Sequence, residues 1–150
     1  MTSIDFYFNA ADRLQVACRL AGKALKQNQR VLIYAPDPET SARIDRMLWT
    51  WPAIGFVPHC AVHAPLAAET PVLIASEVGG DAATPEACEV LLNLGAECPP
   101  HFERFARLLE VVSADEADRE KGRSRFRFYR ERGYKISNHD LAAASEAGNE

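Results

Sequence analysis

Apolar positions along this chain follow two kinds of pattern. Val31-Leu32-Ile33-Tyr34-Ala35, Val72 to Ser76 and Glu89 to Leu94 are short continuous runs. Such runs are typical of strands buried on both faces, as in parallel sheets. Ile4-Asp5-Phe6-Tyr7-Phe8, rich in aromatic and β-branched residues, predicts a first strand. Leu14, Cys18, Ala21 and Leu25 instead recur at helical spacing, which predicts a helix over residues 10 to 28. A second helix is expected from about Glu39 to Trp49, with Pro38 just before it and Ile44, Leu48 and Met47 turned inward.

The remaining segments are less regular. Residues 52 to 70, with their prolines and alanines, predict a long connection containing one extended piece, Gly55-Phe56-Val57-Pro58, and Gly79-Gly80-Asp81 opens a further loop. Pro99-Pro100 introduces a helical turn near His101 to Phe105. Residues 107 to 112 suit either a continuation of that turn or a last strand, and Val111-Val112 favour the strand. Ser113 and Glu116 have the spacing of a capping box, so a helix should start with Ser113 as its cap. It should stop at Gly133, a favoured residue just past a helix end. The alternation of strands and helices predicts one α/β domain over residues 1–136 with a mostly parallel sheet, followed by a flexible tail over 137–150.

Composition narrows the class. At 150 residues, with 47% hydrophobic and 25% charged positions, the chain suits an ordinary globular domain. No run is long enough to span a bilayer, and the first residues lack the basic-then-apolar pattern of a signal peptide. With Cys18, Cys60, Cys88 and Cys98 showing no C-x-x-C spacing, a cytoplasmic protein with reduced thiols is expected. His59 and His63 lie four apart, but Pro58 and Pro65 disfavour a helix that would bring them together. A loop of ordinary polar residues is expected there, with no metal.

Charge changes the picture more. The net charge is −4, yet residues 119 to 135 hold eight of the seventeen basic residues and only two acids. That segment is +6 and the remainder is −10. On a helix, Arg119, Arg123, Phe126, Arg127 and Arg130 share one face, while Phe128 or Tyr129 serves as core anchor. A solvated amphipathic helix is the plain reading. Like charges at i, i+4 destabilise a helix, however, so a nearly single-signed run points to a binding role. An acidic peptide or single-stranded nucleic acid would suit such a surface, and the acidic remainder modestly favours the peptide.

No chemistry of catalysis accompanies this helix. Asn9-Ala10-Ala11-Asp12 follows the first strand without a glycine, and no G-x-G-x-x-G, G-x-x-x-x-G-K-[ST] or G-x-S-x-G motif occurs. No enzyme activity and no cofactor are expected.

Arg43-Ile44-Asp45-Arg46-Met47-Leu48-Trp49, followed by Phe56-Val57-Pro58-His59, resembles the signature of the chi subunit family of bacterial DNA polymerase III. Ile4 to Phe8 and Arg123 to Tyr134 resemble the same family in the same order. The resemblance implies a Rossmann-like three-layer fold without a phosphate-binding loop. It also implies a non-catalytic accessory subunit of the clamp-loader assembly, in contact with DNA only indirectly and with no membrane. Two partners are implied: the psi subunit, and the acidic, phenylalanine-ending tail of single-stranded DNA-binding protein. By the same resemblance, Arg119, Arg123 and Arg127 receive the tail with Phe126 as a wall of its pocket. Trp49 and Phe56 face psi. From the residues alone, Trp49 and Phe56 fit core packing and an exposed interface patch equally well. A direct single-stranded nucleic-acid-binding module remains the alternative function.

Overall fold

The computed structural model describes residues 2–50, 59–61, 71–76 and 88–142. Phe56, His63 and the expected connection around Gly79 lie outside them. Among the described residues, seven strands form one sheet in the order β3-β4-β2-β5-β6-β1-β7. They are β1 (Ser3–Ala10), β2 (Val31–Tyr34), β3 (His59–Ala61), β4 (Val72–Ala75), β5 (Val90–Asn93), β6 (Arg107–Ser113) and β7 (Ile136–Asp140). Every neighbouring pair is parallel. The helices are α1 (Arg13–Lys26), α2 (Pro38–Thr50) and α3 (Glu116–Glu131), with a short 3₁₀ turn at Phe102–Arg104.

The continuous apolar runs are strands buried on both faces, and their alternation sorts residues into two cores. Val31, Ile33, Val72, Ile74, Val90, Leu92, Leu109 and Val111 pack against α1 and α2. Leu32, Leu73, Leu91, Leu108 and Val112 face the other way, toward Tyr129 of α3 and Phe102 and Phe105 of the 3₁₀ region. The result is a three-layer α/β domain, as expected. Alternation fails at one point. Between Tyr7 and Ala10 the register of β1 against β6 slips, with Tyr7 opposite Val111 and Ala10 opposite Ser113. Three steps on β1 therefore match two on β6, and the inserted turn holds Asn9 at φ +63°.

Several boundaries differ from the sequence reading. The loop expected around His59 contains β3, an edge strand paired to β4 through His59 and Val72. The His59 ring is buried, with Nε2 3.1 Å from the Asp45 carbonyl oxygen and 3.2 Å from its carboxylate. Pairing to a neighbouring strand outweighed the weak local propensity of so short a segment. The sheet also continues past residue 136, because Ile136 to Asp140 pairs with Ile4 to Phe8. β7 is mostly exposed and polar, so periodicity gives no signal for it. Finally, α3 is capped by Asp115, which accepts from the Asp118 N–H, while Ser113 ends β6. Asp118 then reaches back to the Ser113 N–H at 2.7 Å. The cap thus lies two residues later than expected, and the Asp115 N–H donates to Ser113 Oγ at 3.3 Å, so Asp118 does not close a reciprocal box with its own cap. Gly133 ends the helix as expected, at φ +85°, a conformation glycine adopts without a steric penalty.

Candidate partner-binding groove

α3 lies across the C-terminal half of β6 with its basic flank turned toward β1 and β7. Gly122 sets how close it comes. A Cβ there would sit 2.7 Å from Cγ2 of Val112, so any larger residue would push the helix off the strand. A buried ionic network holds the same helix in rotation. Glu110 of β6 is fully buried and Arg125 is 3% exposed. Arg125 Nε donates to Glu110 Oε1 at 2.9 Å, and the Tyr129 hydroxyl donates to Oε2 at 2.6 Å. The Asn93 amide donates to both oxygens at 3.1 Å, and Arg125 Nη1 also reaches the Ala96 carbonyl at 2.9 Å. Burial pushes the Glu110 carboxyl above its ordinary range, opposed first by the Arg125 charge and then by the Tyr129, Asn93 and Arg125 hydrogen bonds.

This network corrects one point of the charge reading. Arg125 counts toward the +6 of residues 119 to 135, but inside the fold it is paired with Glu110. A signal for it exists in sequence: a lone acid inside Leu108-Leu109-Glu110-Val111-Val112 needs a buried cationic or hydrogen-bonding partner. Tyr129 is the core anchor of the two aromatics considered. Phe128 is partly buried, with the Arg132 guanidinium 4.2 Å over its ring.

With α3 so fixed, Arg119, Arg123, Phe126 and Arg127 line one open groove of about 380 Å³. Buried Phe6, Val112 and Gly122 form its floor, and Phe8, Asn9 and Asn138 its far side. Phe126 packs edge-on against Phe6 with ring centroids 5.3 Å apart. No acidic residue lines the groove. Outside it, exposed Glu116 lies 3.7 Å from both Arg119 Nη1 and Arg123 Nη1, and no ion pair involves Arg127 among the described residues. Arg130, on the same helical flank, does not line the groove. Three permanent cations above an aromatic and aliphatic floor can take carboxylates and an apolar ring together. The strand residues Phe8, Asn9 and Asn138 were not foreseen, because they converge on α3 only through the order of the sheet.

A second cavity, of about 490 Å³, lies where β1 and β6, neighbours in the sheet, send α1 and α3 to opposite faces. In parallel sheets this crevice is the usual ligand position. Here the chain's own carboxylates take the helix N-termini. Asp12 caps α1 by accepting from the N–H groups of Leu14 and Gln15 at 3.0 and 3.3 Å. Asp115 caps α3, and Asp118 pairs with Arg13 at 3.2 Å. This agrees with the missing phosphate loop.

Trp49 belongs to the last turn of α2, and Phe56 lies outside the described residues. Among the described residues, no group of three or more His, Cys, Asp and Glu could hold a metal. No described helix is long and apolar enough to cross a membrane. Cys18, Cys88 and Cys98 are unbridged, and burial pushes the Cys18 thiol up to about 12.

A family model described as "DNA polymerase III chi subunit, HolC" matches residues 1–137. The chain is 38% identical over 146 residues to the DNA polymerase III subunit chi of Pseudomonas aeruginosa, covering 94% of this chain and 98% of that protein. It is 25% identical over 123 residues to the subunit of the same name from Escherichia coli, with 82% of each chain covered. To that of Haemophilus influenzae it is 27% identical over 127 residues, covering 85% of this chain and 86% of the other.

Proposed function

The chain belongs to the DNA polymerase III chi subunit family, and from that premise we propose that it acts as a non-catalytic tether in the cytoplasmic replisome. One surface binds the psi subunit of the clamp loader. The groove under α3 binds the acidic C-terminal tail of single-stranded DNA-binding protein. The observation that carries this reading is the lining of the groove: Arg119, Arg123 and Arg127 beside Phe126, with no acid among them.

The physical division of labour is plain. The arginines pair with the tail's carboxylates, and the floor of Phe6 and Val112 with Phe126 receives a terminal aromatic ring. Exposed ion pairs each contribute about 1 kcal/mol or less and are screened by salt. The apolar contact therefore supplies much of the affinity, and the charges supply selection for an acidic partner. Trp49 and Phe56 are assigned to the psi contact, and α2, which carries Trp49, packs on β3 and β4, away from the groove.

Charge reversal at Arg123 tests the groove. Arg123→Glu should weaken an acidic, phenylalanine-ending peptide at least tenfold in fluorescence anisotropy, and unchanged affinity would sink the assignment. In a pull-down from cell extract, the same variant should lose single-stranded DNA-binding protein and retain psi. Failure of the wild-type protein to recover psi would remove that half of the proposal. Micromolar binding of an oligonucleotide to the protein alone, near physiological salt, would favour direct nucleic-acid binding instead.

A further inference from the structure

The arginine side of the groove offers only hydrogen-bond donors. An extended peptide laid along it has backbone N–H groups that arginine cannot satisfy. The opposite side carries Asn9, and the backbone is specially shaped to put it there. β1 alternates until Tyr7, with Phe6 toward α3 and Tyr7 toward α1. The register slip before Ala10 inserts one residue, so Phe8 and Asn9, adjacent in sequence, both line the groove, while Ala10 joins the α1 core. Bulges of this kind re-aim a side chain. Asn9 occupies the left-handed region at φ +63°, which asparagine tolerates better than most residues. Its Nδ2 donates to Asp140 Oδ1 at 2.9 Å, and because a carboxylate only accepts, this bond identifies which end of the amide is the oxygen. Oδ1 is left as the acceptor. Asn138, exposed on β7, adds a second carboxamide on the same side.

We propose that Asn9, assisted by Asn138, is the peptide-reading element of this groove: its carboxamide oxygen accepts from a backbone N–H of the bound acidic tail. The inference rests on the acidic-tail reading and deepens it. The arginines alone would accept any polyanion. A sugar–phosphate backbone carries no N–H to meet the carboxamide, so Asn9 makes the groove prefer a peptide over a nucleic acid of equal charge.

The test uses the full chain and an oligo-aspartate peptide with a C-terminal phenylalanine, made in parallel with single backbone amides replaced by esters. Asn9→Gly removes the amide while keeping a residue at ease with positive φ. It should weaken the peptide about threefold to tenfold, the range for one net hydrogen bond, and change oligothymidylate binding by less than twofold. One ester position should weaken binding to the wild-type chain by a similar factor and cause no further loss in Asn9→Gly. A merely structural role for Asn9 cannot produce that non-additivity. Additive losses, equal losses for peptide and oligonucleotide, or an unchanged peptide affinity would each overturn the inference. If Arg123→Glu weakens the peptide and Asn9→Gly does not, only this inference falls. If Arg123→Glu has no effect either, the acidic-tail reading falls with it.

Discussion

Two of the cavities among the described residues are of similar size and differ in how their charge is balanced. The crevice between β1 and β6 holds Arg13, Arg43 and Lys121 together with Asp12, Asp115 and Asp118. Its acids cap α1 and α3 and pair with Arg13, whose Nη2 also donates to the Leu94 carbonyl at 2.6 Å. The groove under α3 holds three arginines and no acid. A parallel α/β sheet ordinarily places its ligand at the first of these positions. In this chain that position has become part of the scaffold, and the arginines on one flank of α3 are met by exposed Glu116, which lies outside the groove lining. On the proposed reading the site follows charge balance, whereas fold class alone points to the other cavity.

The largest expected effect comes from removing what aligns the groove. Arg125→Ala strands the buried Glu110 carboxyl, and breaking one side of a buried pair costs about 3–5 kcal/mol. Urea unfolding should show that loss, and tail affinity should fall with it as α3 loosens. The pH dependence has a definite sign. Burial already raises the Glu110 carboxyl, and without Arg125 the main opposing influence is gone. The folded variant then holds a proton that the unfolded chain, with a carboxyl near pKa ~4.3, releases. Stability of the variant should therefore fall as pH rises above that value and recover on acidification. A variant with wild-type stability would show that the groove does not depend on this network.

Asp12→Ala acts on the other cavity. It removes the cap of α1 and should cost about 1 kcal/mol in unfolding free energy. Tail affinity should stay within twofold, since Asp12 does not line the groove. A tenfold change in affinity would mean that the two cavities are coupled and that the contrast between them is false.

How much of this was legible in sequence depends on what kind of physics set each feature. β2, β4 and β5 were readable because burial on both faces leaves an unbroken apolar run, and α1 because one buried face imposes helical spacing. Arg119, Arg123, Phe126 and Arg127 were readable as one helical flank for the same reason. β3 and β7 were not. Each is an edge strand held by backbone pairing to a single neighbour, and backbone pairing leaves little mark on side-chain identity. Ser113 was mistaken for the cap because Asp115, two residues later, is an equally good acceptor for a helix N-terminus. Arg125 was legible only as one charge of the basic segment, since its partner Glu110 comes from β6. Phe8, Asn9 and Asn138 reach the groove through a bulge and a sheet order that no local pattern announces.

The smallest effect sharpens the contrast most directly. Glu116 is the acid nearest the groove's cations, 3.7 Å from both Arg119 and Arg123, and it is well exposed. At that distance in solvent each pair contributes only a few tenths of a kcal/mol to the helix. Glu116 nonetheless competes with an incoming carboxylate for the same two guanidinium groups. Glu116→Gln should raise tail affinity about twofold at low salt, an effect that fades near 1 M salt, where the screening length is about 3 Å. Unfolding should register a loss of at most about 0.5 kcal/mol, from the missing pairs and a weaker interaction with the helix N-terminus. A gain in affinity with a small loss in stability is the expected mark of a charge that partly answers its own binding site. Weaker tail binding in the variant would instead mean that Glu116 orients Arg119 and Arg123 for the ligand, making the groove more pre-balanced than its lining suggests.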